Sequence, residues 1–599
     1  MISFCKAVTE LCLRSISILK KYGLLRFIKR AWKYFKKQGW RSVLSAGDIN
    51  SQYQKWLAKK LPERKDSGVT EYADIQLISI LIPVYNPRLE HLHEAVDSIL
   101  NQDSPKWQLC LADDCSKESW VVDFMQKLVE QDERITYVCH SSNKGISEAT
   151  NSALSIAKSE YVLFMDQDDI LWTHTISSFQ KVLNEDTHYD IIYGGEDKFD
   201  EHIKRHSDPY FKPEWSPHLL YSYNYVGHPL VVRKKLVEQV GGFRKELDGS
   251  QDHDLLLRLS ELKVRVRRIP DILYSWRITV GSTSDGWDAK PEASRAGCFA
   301  IEESLSRRGY LSKASHSSET GIYHCRINLK KHDKVSVIIP SKDNGQILKR
   351  CLDSIHSKST YKNYEIIIID NGSTEKNTTN FLDLIRSRND IKILSYPEPF
   401  NYPVINNLGA AHASGQHFVF LNDDTEVITS DWLEALLEHS QMANVGAVGA
   451  LLIFPNRLIQ HAGIVVGMRG SASHAFYKCD SRAPGYFNLA HSIRNVSAVT
   501  AACLMVKADT FSKVGGFNPS FRVGLNDVDF CLRLLKMGLY NVYTPHAKLI
   551  HYESLSRGEY VDEEEIKLFN QTYQNFIDNG DPYYNPELSL ERNDYSLVV

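Results

Sequence analysis

The sequence has no paired-cysteine motif, and its cysteines are too scattered to suggest a disulfide framework. Eleven cysteines are spread over 599 residues, an odd number with no Cys-x-x-Cys pair among them. This usage argues against a disulfide scaffold and against the commonest structural zinc sites. Several cysteines, such as Cys110 and Cys503, lie inside apolar runs. We expect these to be reduced core residues of a cytoplasmic protein.

Long hydrophobic runs and an excess of charge of one sign are also missing. No uncharged apolar stretch reaches the roughly 18 residues that a membrane-spanning helix needs. The first residues do not show the apolar region and small-residue cleavage site of a signal peptide. The formal net charge is -3. The overall charge therefore gives no reason to expect a nucleic-acid partner, and we predict none.

The one strongly basic region is the beginning of the chain. Residues 1–41 contain eleven Lys or Arg residues and a single acid, Glu10. Apolar residues recur here at helical spacing, with the basic residues on the other face: Leu25, Ile28, Trp32 and Phe35. A basic amphipathic helix with a tryptophan is suited to the interface of an anionic membrane. We predict such a helical segment over residues 1–50, which attaches the protein to an anionic membrane surface. The alternative is a helix docked on its own protein.

The most informative feature of the chain is a repeat about 257 residues long. The run Ile80–Asn86 (ILIPVYN) reappears as Val337–Asp343 (VIIPSKD). About thirty residues after each proline, an acid closes a second apolar run, at Asp113 and at Asp370. The period is far too long for a solenoid repeat. We therefore predict two copies of one domain.

Two further markers keep their spacing in both copies. A polar cluster follows a third apolar run at 166–169 and again at 422–425. An asparagine precedes each cluster by fifteen positions, Asn151 in the first copy and Asn407 in the second. Short apolar runs alternate with amphipathic stretches throughout. This alternation predicts an α/β fold, with a mostly parallel sheet covered by helices on both sides.

The same alternation gives the domain boundaries. The second copy carries extra residues around Asn456–Asn495, because its last acidic motif comes about twenty residues later. The predicted parts are the basic helical segment 1–50, a connector 51–74, domain one 75–310, a linker 311–333, domain two 334–580 and a polar, peripheral tail 581–599.

The acidic clusters are candidates for a metal site. Ligands of open α/β sheets bind at the carboxyl ends of the strands, which is where these clusters fall. Asp166 and Asp168 offer two carboxylates to one divalent cation, Mg²⁺ or Mn²⁺, which would hold a diphosphate. In the second copy Asn422 replaces the first acid, so Asp424 becomes the principal ligand. Surface acids with this spacing are common, but their recurrence after a buried strand in both copies favours the metal site.

A third repeated motif combines a Gly-Gly-Phe turn with later acids. The turn at 241–243 is followed by Asp252 and Asp254, and the turn at 515–517 by Asp527 and Asp529. Acids at the start of a helix are favoured by the helix dipole, which is a purely structural explanation. Their recurrence beside a nucleotide-type site favours a general base instead.

Together these motifs resemble the inverting glycosyltransferases of family two, which have the GT-A fold. The resemblance extends from about residue 75 to about residue 580 in two copies. It is closest to the tandem two-domain members that build bacterial surface polysaccharides. It implies a fold of two tandem GT-A domains with Rossmann-like, mostly parallel sheets, and nucleotide sugars as donors. Attack by an acceptor hydroxyl on the anomeric carbon would release a nucleoside diphosphate.

The resemblance also implies roles for individual residues. Nucleotide-binding positions are Pro83, Tyr85, Asn86, Asp113, Asp114, Pro340, Asp343, Asp370 and Asn371. Metal ligands are Asp166, Asp168 and Asp424, joined by the late histidine His551 in the second copy. General bases are Asp252 and Asp527. Further contacts to donor or acceptor are Arg277, Asp254, Asp529 and Arg557.

Several points remain open at the level of sequence. The first copy has no counterpart of His551, and its Arg277 either contacts phosphate or pairs with an acid. Only one copy need be active, with the other a scaffold or acceptor-binding domain. A nucleotidyltransferase is disfavoured because no Gly-rich, Lys-containing phosphate loop is present. A carbohydrate-binding scaffold is disfavoured by the paired late acids. The sugar and the base stay undefined. A lipid-linked or polysaccharide acceptor at the inner face of the cytoplasmic membrane is expected.

Overall fold

The computed structural model describes residues 49–61, 75–278, 291–317, 321–552 and 562–599. The predicted basic segment 1–50 therefore lies almost entirely outside the described residues. No helix in the described ranges is long and apolar enough to cross a bilayer. The cysteines in these ranges are free, and Cys110 and Cys503 are buried, as the sequence predicted.

The first half is a mixed sheet with helices packed against it. Its strands are β1 (Ile78–Val84), β2 (Trp107–Asp113), β3 (Ile135–Cys139), β4 (Tyr161–Phe164), β5 (Ile170–Leu171), β6 (Ile191–Asp200), β7 (Arg205–Tyr210), β8 (Leu230–Arg233) and β9 (Val266–Arg277). Helix α1 covers 49–61. The other helices are α2 (Leu89–Leu100), α3 (Trp120–Gln131), α4 (Ile146–Ile156), α5 (Thr175–Glu185), α6 (Lys234–Gln239), α7 (Gln251–Leu259) and α8 (Pro291–Arg307).

The second half follows a short hairpin, β10 (Ser312–His316) and β11 (Tyr323–Ile327). Its strands are β12 (Val335–Ser341), β13 (Tyr364–Asp370), β14 (Ile391–Ser395), β15 (His417–Leu421), β16 (Thr425–Val427), β17 (Val445–Ile453), β18 (Ile459–His461), β19 (Ile464–Val466), β20 (Ala472–His474), β21 (Arg494–Val496), β22 (Cys503–Lys507) and β23 (Tyr540–His551). Its helices are α9 (Gly345–Lys358), α10 (Lys376–Ile385), α11 (Tyr402–Ala411), α12 (Trp432–Ser440), α13 (Ala508–Val514), α14 (Asn526–Lys536) and α15 (Glu563–Asn579).

The two sheets have the same topology, which confirms the predicted duplication. The strand order is β3-β2-β1-β4-β8-β6-β9-β5 in the first half and β14-β13-β12-β15-β22-β17-β23-β16 in the second. In each half the first strand pairs in parallel with its two neighbours. The next neighbour runs antiparallel. The chain is therefore α/β with two tandem mixed sheets, as expected for GT-A domains.

The central strands are buried on both faces, which explains their continuous apolar sequences. All but one of the seven residues of β1 are buried, and β12 has the same pattern. A strand covered on both faces gains roughly 25 cal/mol for each Å² of apolar surface removed from water. Polar residues can be tolerated only where these strands end. The carboxyl edge of each sheet is therefore the place where the chain can concentrate charged groups.

The two halves pack directly on each other. The Asn495 side chain accepts from the Ser216 hydroxyl at 3.1 Å and from the His218 backbone N–H at 3.1 Å. The rings of Tyr210 and Phe487 stack with centroids 3.9 Å apart. The extra residues of the second half, which contain β18, β19 and β20, thus contribute to the interface as well as to the second domain.

The end of the chain differs from the sequence-based expectation. We predicted a polar, peripheral tail, but Tyr584, Leu588 and Tyr595 are buried. The Tyr595 ring stacks on Phe476 at 4.6 Å and on Tyr486 at 5.5 Å. The prediction of a peripheral position is wrong because several apolar side chains of this polar segment, Tyr595 among them, are buried against the second half.

Replacing Tyr595 with alanine should therefore destabilise the whole protein. Loss of a buried aromatic ring costs about 3–5 kcal/mol, and the surrounding rings cannot close the cavity completely. Thermal unfolding would show this as a clear fall in Tm. Tyr595→Phe, which keeps the ring, and Val599→Ala, at a residue that is 54% exposed, should unfold close to the wild type. A wild-type Tm for Tyr595→Ala would mean that the tail does not stabilise the fold.

Candidate functional site

The carboxyl edge of each sheet brings the first two sequence motifs together. Val84 pairs with Asp113 at the ends of β1 and β2, and Ser341 pairs with Asp370 at the ends of β12 and β13. Pro83 and Pro340 lie one position earlier in the same strands. The predicted nucleotide-binding segments are therefore neighbours in space in both halves.

Asn86 and Asp343, two positions beyond the ends of β1 and β12, hold in place the loops that follow β2 and β13. Asn86 and Asp343 both have positive φ values, 44° and 50°. Asn86 accepts from the backbone N–H of Lys117 at 2.9 Å. Asp343 accepts from two successive N–H groups, those of Thr374 and Glu375. These backbone donors lower the pKa of Asp343.

The strand-end aspartates act on the same loops. Asp113 accepts from the Ser116 N–H at 3.1 Å. Asp370 accepts from the Ser373 N–H at 3.0 Å and from its hydroxyl at 2.6 Å. The loop that would surround a nucleotide is thus fixed before any ligand binds, in the same way in both halves.

The residues that follow these aspartates point elsewhere. Asp114 accepts from His140 at 2.7 Å and from the N–H groups of Lys144 and Gly145, each at 2.8 Å. Asn371 donates to the carbonyls of Tyr396 and Glu398. Both side chains stabilise the loop that follows β3 or β14. We therefore no longer expect either of them to contact a nucleotide directly.

The acidic cluster of the first half adjoins these loops. The Tyr85 backbone exchanges two hydrogen bonds with the Gln167 amide, at 2.9 and 3.2 Å, while the Tyr85 side chain is 41% exposed. Asp166 and Asp168 remain partly accessible, whereas Asp169 is buried and accepts from the Tyr274 hydroxyl at 2.7 Å. Burial, together with the two neighbouring acids, raises the pKa of Asp169 well above its usual range.

Arg277 holds this cluster through a hydrogen bond to its backbone. Its Nε donates to the Asp168 carbonyl at 2.6 Å, and its guanidinium forms ion pairs with Glu94 and Glu201 at 2.7 and 3.6 Å. The side chain is only 1% exposed. Of the two roles considered for Arg277, pairing with acids is the one observed, and a phosphate contact has no support.

The same set of contacts in both halves positions the late aspartates. The Asn151 amide forms hydrogen bonds with both the N–H and the carbonyl of Phe243, and Asn407 does the same with Phe517. A Cβ on Gly242 would lie 2.6 Å from the Asn151 oxygen, and φ at this glycine is +67°. These contacts explain why the asparagine and the glycine turn recur together.

Asp254 and Asp529 belong to the same support. Asp254 is fully buried between Arg244 and Arg258, and Asp529 accepts from Arg533 and from the Tyr573 hydroxyl. Arg258 and Arg533 of these helices also donate to backbone carbonyls at the glycine turns, those of Val240 and Gly242 and those of Val514 and Gly516. We predicted substrate contacts for both acids, but their carboxylates are already satisfied inside the protein. Arg557, the fourth of these predicted contacts, lies outside the described residues.

In the first half, Asp252 lies close to the acidic cluster. It begins α7 and is close enough to Asp166 and His228 for each to affect its pKa. Burial raises the pKa of Asp252 to about 6, an effect that His228 opposes and that Asp166 increases. His228 donates from Nδ1 to the Phe164 carbonyl at 3.1 Å, and its ring stacks on Tyr274. Sequence reasoning missed His228, because a single histidine before a strand carries no pattern.

Asp527 has the equivalent position in the second half. It begins α14 and accepts from the Ala501 N–H at 3.0 Å. Burial raises its pKa, against the effect of this hydrogen bond. Both late aspartates are therefore held at the start of a helix, mostly buried, with a raised affinity for a proton. That is the property expected of a carboxylate that accepts a proton from a hydroxyl.

The second half also brings Asp424 and His551 together. His551 Nε2 lies 3.1 Å from Asp424 Oδ1 and 3.3 Å from the Asn422 amide. Asp424 Oδ1 and His551 Nδ1 are both buried without a hydrogen-bond partner. Buried polar atoms without partners are uncommon and typical of sites that bind a ligand or ion. A carboxylate and an imidazole fit Mn²⁺ or a similar divalent ion.

The two halves differ at this point. Ser275 pairs with Ile170 in the first half, and Ile550 pairs with Glu426 at the equivalent position of the second half. The next residue along each strand is Trp276 in the first half and His551 in the second. Trp276 therefore occupies the position of His551. No cluster of three or more His, Cys, Asp or Glu side chains arranged to hold a metal occurs within the described ranges. Among the described residues, the candidate ligand pair is Asp166 with Asp168 in the first half and Asp424 with His551 in the second.

Comparison with known families agrees with this geometry. The model of the family described as "Glycosyl transferase family 2" matches residues 79–241 and 336–457. The matched segments begin in β1 and in β12, at equivalent positions of the two copies. The family match therefore covers both sets of strand-end motifs.

Similar proteins have been identified in several bacteria. An uncharacterized protein of Sinorhizobium fredii is 38% identical over 532 residues, which are 87% of this chain and 58% of that protein. An O-antigen biosynthesis protein, RfbC of Myxococcus xanthus, is 34% identical over 553 residues, 91% of this chain and 43% of that protein. This chain thus spans about half the length of these relatives. The S. aureus TarS 1–349 structure with UDP-GlcNAc has a TM-score of 0.31 and 18% identity, covering 39% of this chain and 72% of that chain.

Proposed function

Both halves of this chain carry a glycosyl transferase family 2 domain, and from this premise we propose that the protein transfers sugars from nucleotide-sugar donors at two sites. Each half would catalyse one transfer to a growing cell-surface glycan. The observation that carries the proposal is the repeated pairing of a raised-pKa aspartate with a strand-end acidic cluster. Asp252 is close enough to Asp166 for that acid to raise its pKa. Asp527 accepts from the Ala501 N–H, and the next residue, Ala502, accepts from the Asn422 N–H at 3.1 Å.

The chemistry of transfer fits these residues. Asp252 or Asp527 would accept the proton of an acceptor hydroxyl as its oxygen attacks the anomeric carbon. The bond from that carbon to the diphosphate breaks in the same step, so the sugar's configuration inverts. The ordered loops at Asp113 and Asp370 would hold the nucleoside. Tyr85, with its exposed ring, is suited to lie against the base.

A divalent ion would stabilise the charge that develops on the leaving diphosphate. In the second half, Asp424 and His551 would hold it, supported by their 3.1 Å approach and by the buried Nδ1 of His551, which has no hydrogen-bond partner. In the first half, Asp166 and Asp168 would do so. The Trp276 ring in place of a histidine leaves the first site with carboxylate ligands alone.

The proposal favours two active halves over one active half with a scaffold. Both late aspartates keep their helix-start position, their burial and the same asparagine–glycine support. A domain kept only for packing has no need of a mostly buried carboxylate beside its ligand cleft. The alternative is that one half is inactive and only binds the acceptor. That half would be the first, because it lacks the histidine ligand.

The acceptor would be a lipid-linked or polysaccharide chain. The similarity to an O-antigen biosynthesis protein supports this class of acceptor. The basic residues at 1–41 suit attachment to an anionic membrane, where a lipid-linked chain would be extended at the inner face. The full chain should co-sediment with anionic vesicles more strongly than a chain that lacks residues 1–47. Equal co-sedimentation would contradict membrane attachment through this segment.

Product analysis tests the proposed reaction. Sugar nucleotides, Mn²⁺ and a glycan acceptor should yield a nucleoside diphosphate and a lengthened glycan. Release of pyrophosphate from a sugar phosphate and a nucleoside triphosphate would indicate a nucleotidyltransferase. Absence of any product, with donor binding intact, would indicate a carbohydrate-binding scaffold.

A further inference from the structure

The second half contains a pair of histidines that the proposed reaction has not used. His461 ends β18 and His474 ends β20, both within the extra residues of the second half. Their Nδ1 atoms are 2.9 Å apart. One of these two nitrogens must carry the hydrogen and the other must accept it.

The surroundings of His461 decide which nitrogen donates. His461 is fully buried, and its Nε2 faces the backbone N–H groups of Gly463 at 3.3 Å and Thr500 at 3.5 Å. An Nε2 that accepts these hydrogens carries none, so the hydrogen of a neutral His461 is on Nδ1. It is donated to Nδ1 of His474. The only hydrogen of a neutral His474 ring is then on its Nε2.

Both rings are neutral at physiological pH. Burial lowers the pKa of His461 well below its usual range and that of His474 to about 4, and the nearby His551 acts in the same direction on each. Within the described residues, the Nε2–H of His474 meets no acceptor, whereas its Nδ1 is used. His474 is also held by the Tyr477 ring at 6.0 Å and by Asn593, which donates to its carbonyl at 2.6 Å. The ring is therefore fixed with one unused donor.

The pair lies between the two reactive parts of the second site. On one side is His551, whose Nε2 is 3.1 Å from Asp424. On the other is Thr500, whose N–H faces His461 Nε2 at 3.5 Å and whose neighbour Ala501 donates its N–H to Asp527 at 3.0 Å. A donor sugar would have to lie between the metal ligand Asp424 and the base Asp527.

We propose that His474 donates its Nε2–H to an oxygen of the nucleotide-sugar bound in the second half, on the transferred sugar or on the β-phosphate. His461 is the positioning residue that fixes the tautomer of His474. The inference rests on the proposed function, because it takes a nucleotide-sugar as the ligand. The first half has a counterpart of β18 in β7, which pairs with β6 as β18 pairs with β17, but among the described strands it has no counterpart of the β19–β20 pair that carries His474. This contact would therefore distinguish donor selection in the second half from that in the first.

Two conservative variants separate the hydrogen bond from the shape of the side chain. In His474→Gln the amide nitrogen reaches about as far as Nε2, whereas in His474→Asn it reaches only as far as Nδ1. Both should be made in the full chain with Asp252→Asn, which removes the turnover of the first half. His412→Asn, at an exposed histidine on the far end of α11, is the matched control. Donor affinity of the second half is obtained by calorimetry from a two-site fit in which the first half is the unchanged component. KM and kcat for diphosphate release are measured for each variant.

Loss of one neutral hydrogen bond corresponds to a change in affinity of about tenfold. We expect His474→Asn to weaken sugar-nucleotide binding and raise KM by about this factor, with His474→Gln within about threefold of the background. If the free nucleoside diphosphate binds equally well to all variants, the contact is to the sugar. If its binding falls in parallel, the contact is to the phosphate. Either pattern supports the proposal.

The proposal is overturned if His474→Asn binds the sugar nucleotide as the control does. It is also overturned if His474→Gln is as impaired as His474→Asn, because the ring would then matter for packing alone. Loss of Mn²⁺ binding in the absence of nucleotide would make His474 a metal ligand instead and would equally contradict it. If the Asp252→Asn protein without a further substitution binds donor but never turns it over, the proposed function is contradicted. The binding comparison would still decide the role of His474.

Discussion

Replacing Asp252 with asparagine is expected to lower the kcat of the first half by about 10²- to 10⁴-fold, the usual contribution of a general base. Asp527→Asn should do the same in the second half. Asparagine has nearly the shape of aspartate but cannot accept the hydroxyl proton. Donor affinity should stay within a few-fold of wild type, because neither carboxylate is assigned to the nucleotide. A large loss of donor binding, with kcat preserved, would mean that the base is a different residue.

Stability supplies the control for these variants. The pKa of Asp252 is raised to about 6 in the folded protein, so the folded state binds its proton more tightly than the unfolded state does. The resulting stabilisation is complete below the unfolded pKa of about 3.9 and is lost as the pH rises through about 6. At pH 7.5, without metal, the folded protein therefore contains a disfavoured carboxylate, and Asp252→Asn removes it. Its Tm should equal or exceed that of wild type, and a lower Tm would assign Asp252 a structural role.

Replacing Asp424 with alanine should weaken Mn²⁺-dependent donor binding in the second half by about 100-fold or more. The Asp424 carboxylate is one of only two protein ligands proposed for that ion, and even groups that merely support a metal ligand contribute about 10- to 100-fold. Calorimetric titration with donor, with and without Mn²⁺, measures the change. Asp423→Asn is a close control, because Asp423 accepts from the Ser341 hydroxyl at 2.7 Å and is not a proposed ligand. Equal effects of both variants would mean that the loop, and not an ion, accounts for the loss.

The repeat made much of the fold predictable from sequence. The spacing of the apolar runs predicted the strands β1, β2, β4 and their counterparts, because buried parallel strands need continuous apolar sequence. It also placed Asp113, Asp370 and both acidic clusters at strand ends. Asn151 and Asn407 were only spacing markers of the repeat in the sequence, and their contacts with Phe243 and Phe517 explain why both occur.

Side-chain directions could not be predicted in this way. Asp114 and Asn371 lie next to site positions along the chain, yet both turn towards the neighbouring loop. Asp254 and Asp529 share a helix turn with the bases but face arginines buried beneath them. Spacing in sequence cannot separate these directions, because residues two apart on a helix point to different sides.

Contacts between distant segments were equally hidden. His228 lies in a loop, and His461 and His474 end two short strands that the repeat did not predict. The tail 581–599 is polar in composition, and only its three-dimensional position reveals that Tyr595 completes an aromatic cluster of the second half. Such contacts depend on how segments distant in sequence pack together, and no local pattern encodes that.

The central claim is that both halves are working transferases, and nucleoside diphosphate release tests it most directly. A panel of sugar nucleotides with Mn²⁺ and acceptor is turned over by wild type, by Asp252→Asn, by Asp527→Asn and by the double variant. The prediction is that each single variant loses one donor, or part of the turnover of a shared donor, and that the double variant loses all. If one single variant matches wild type and the other matches the double variant, only one half is catalytic and the account is wrong.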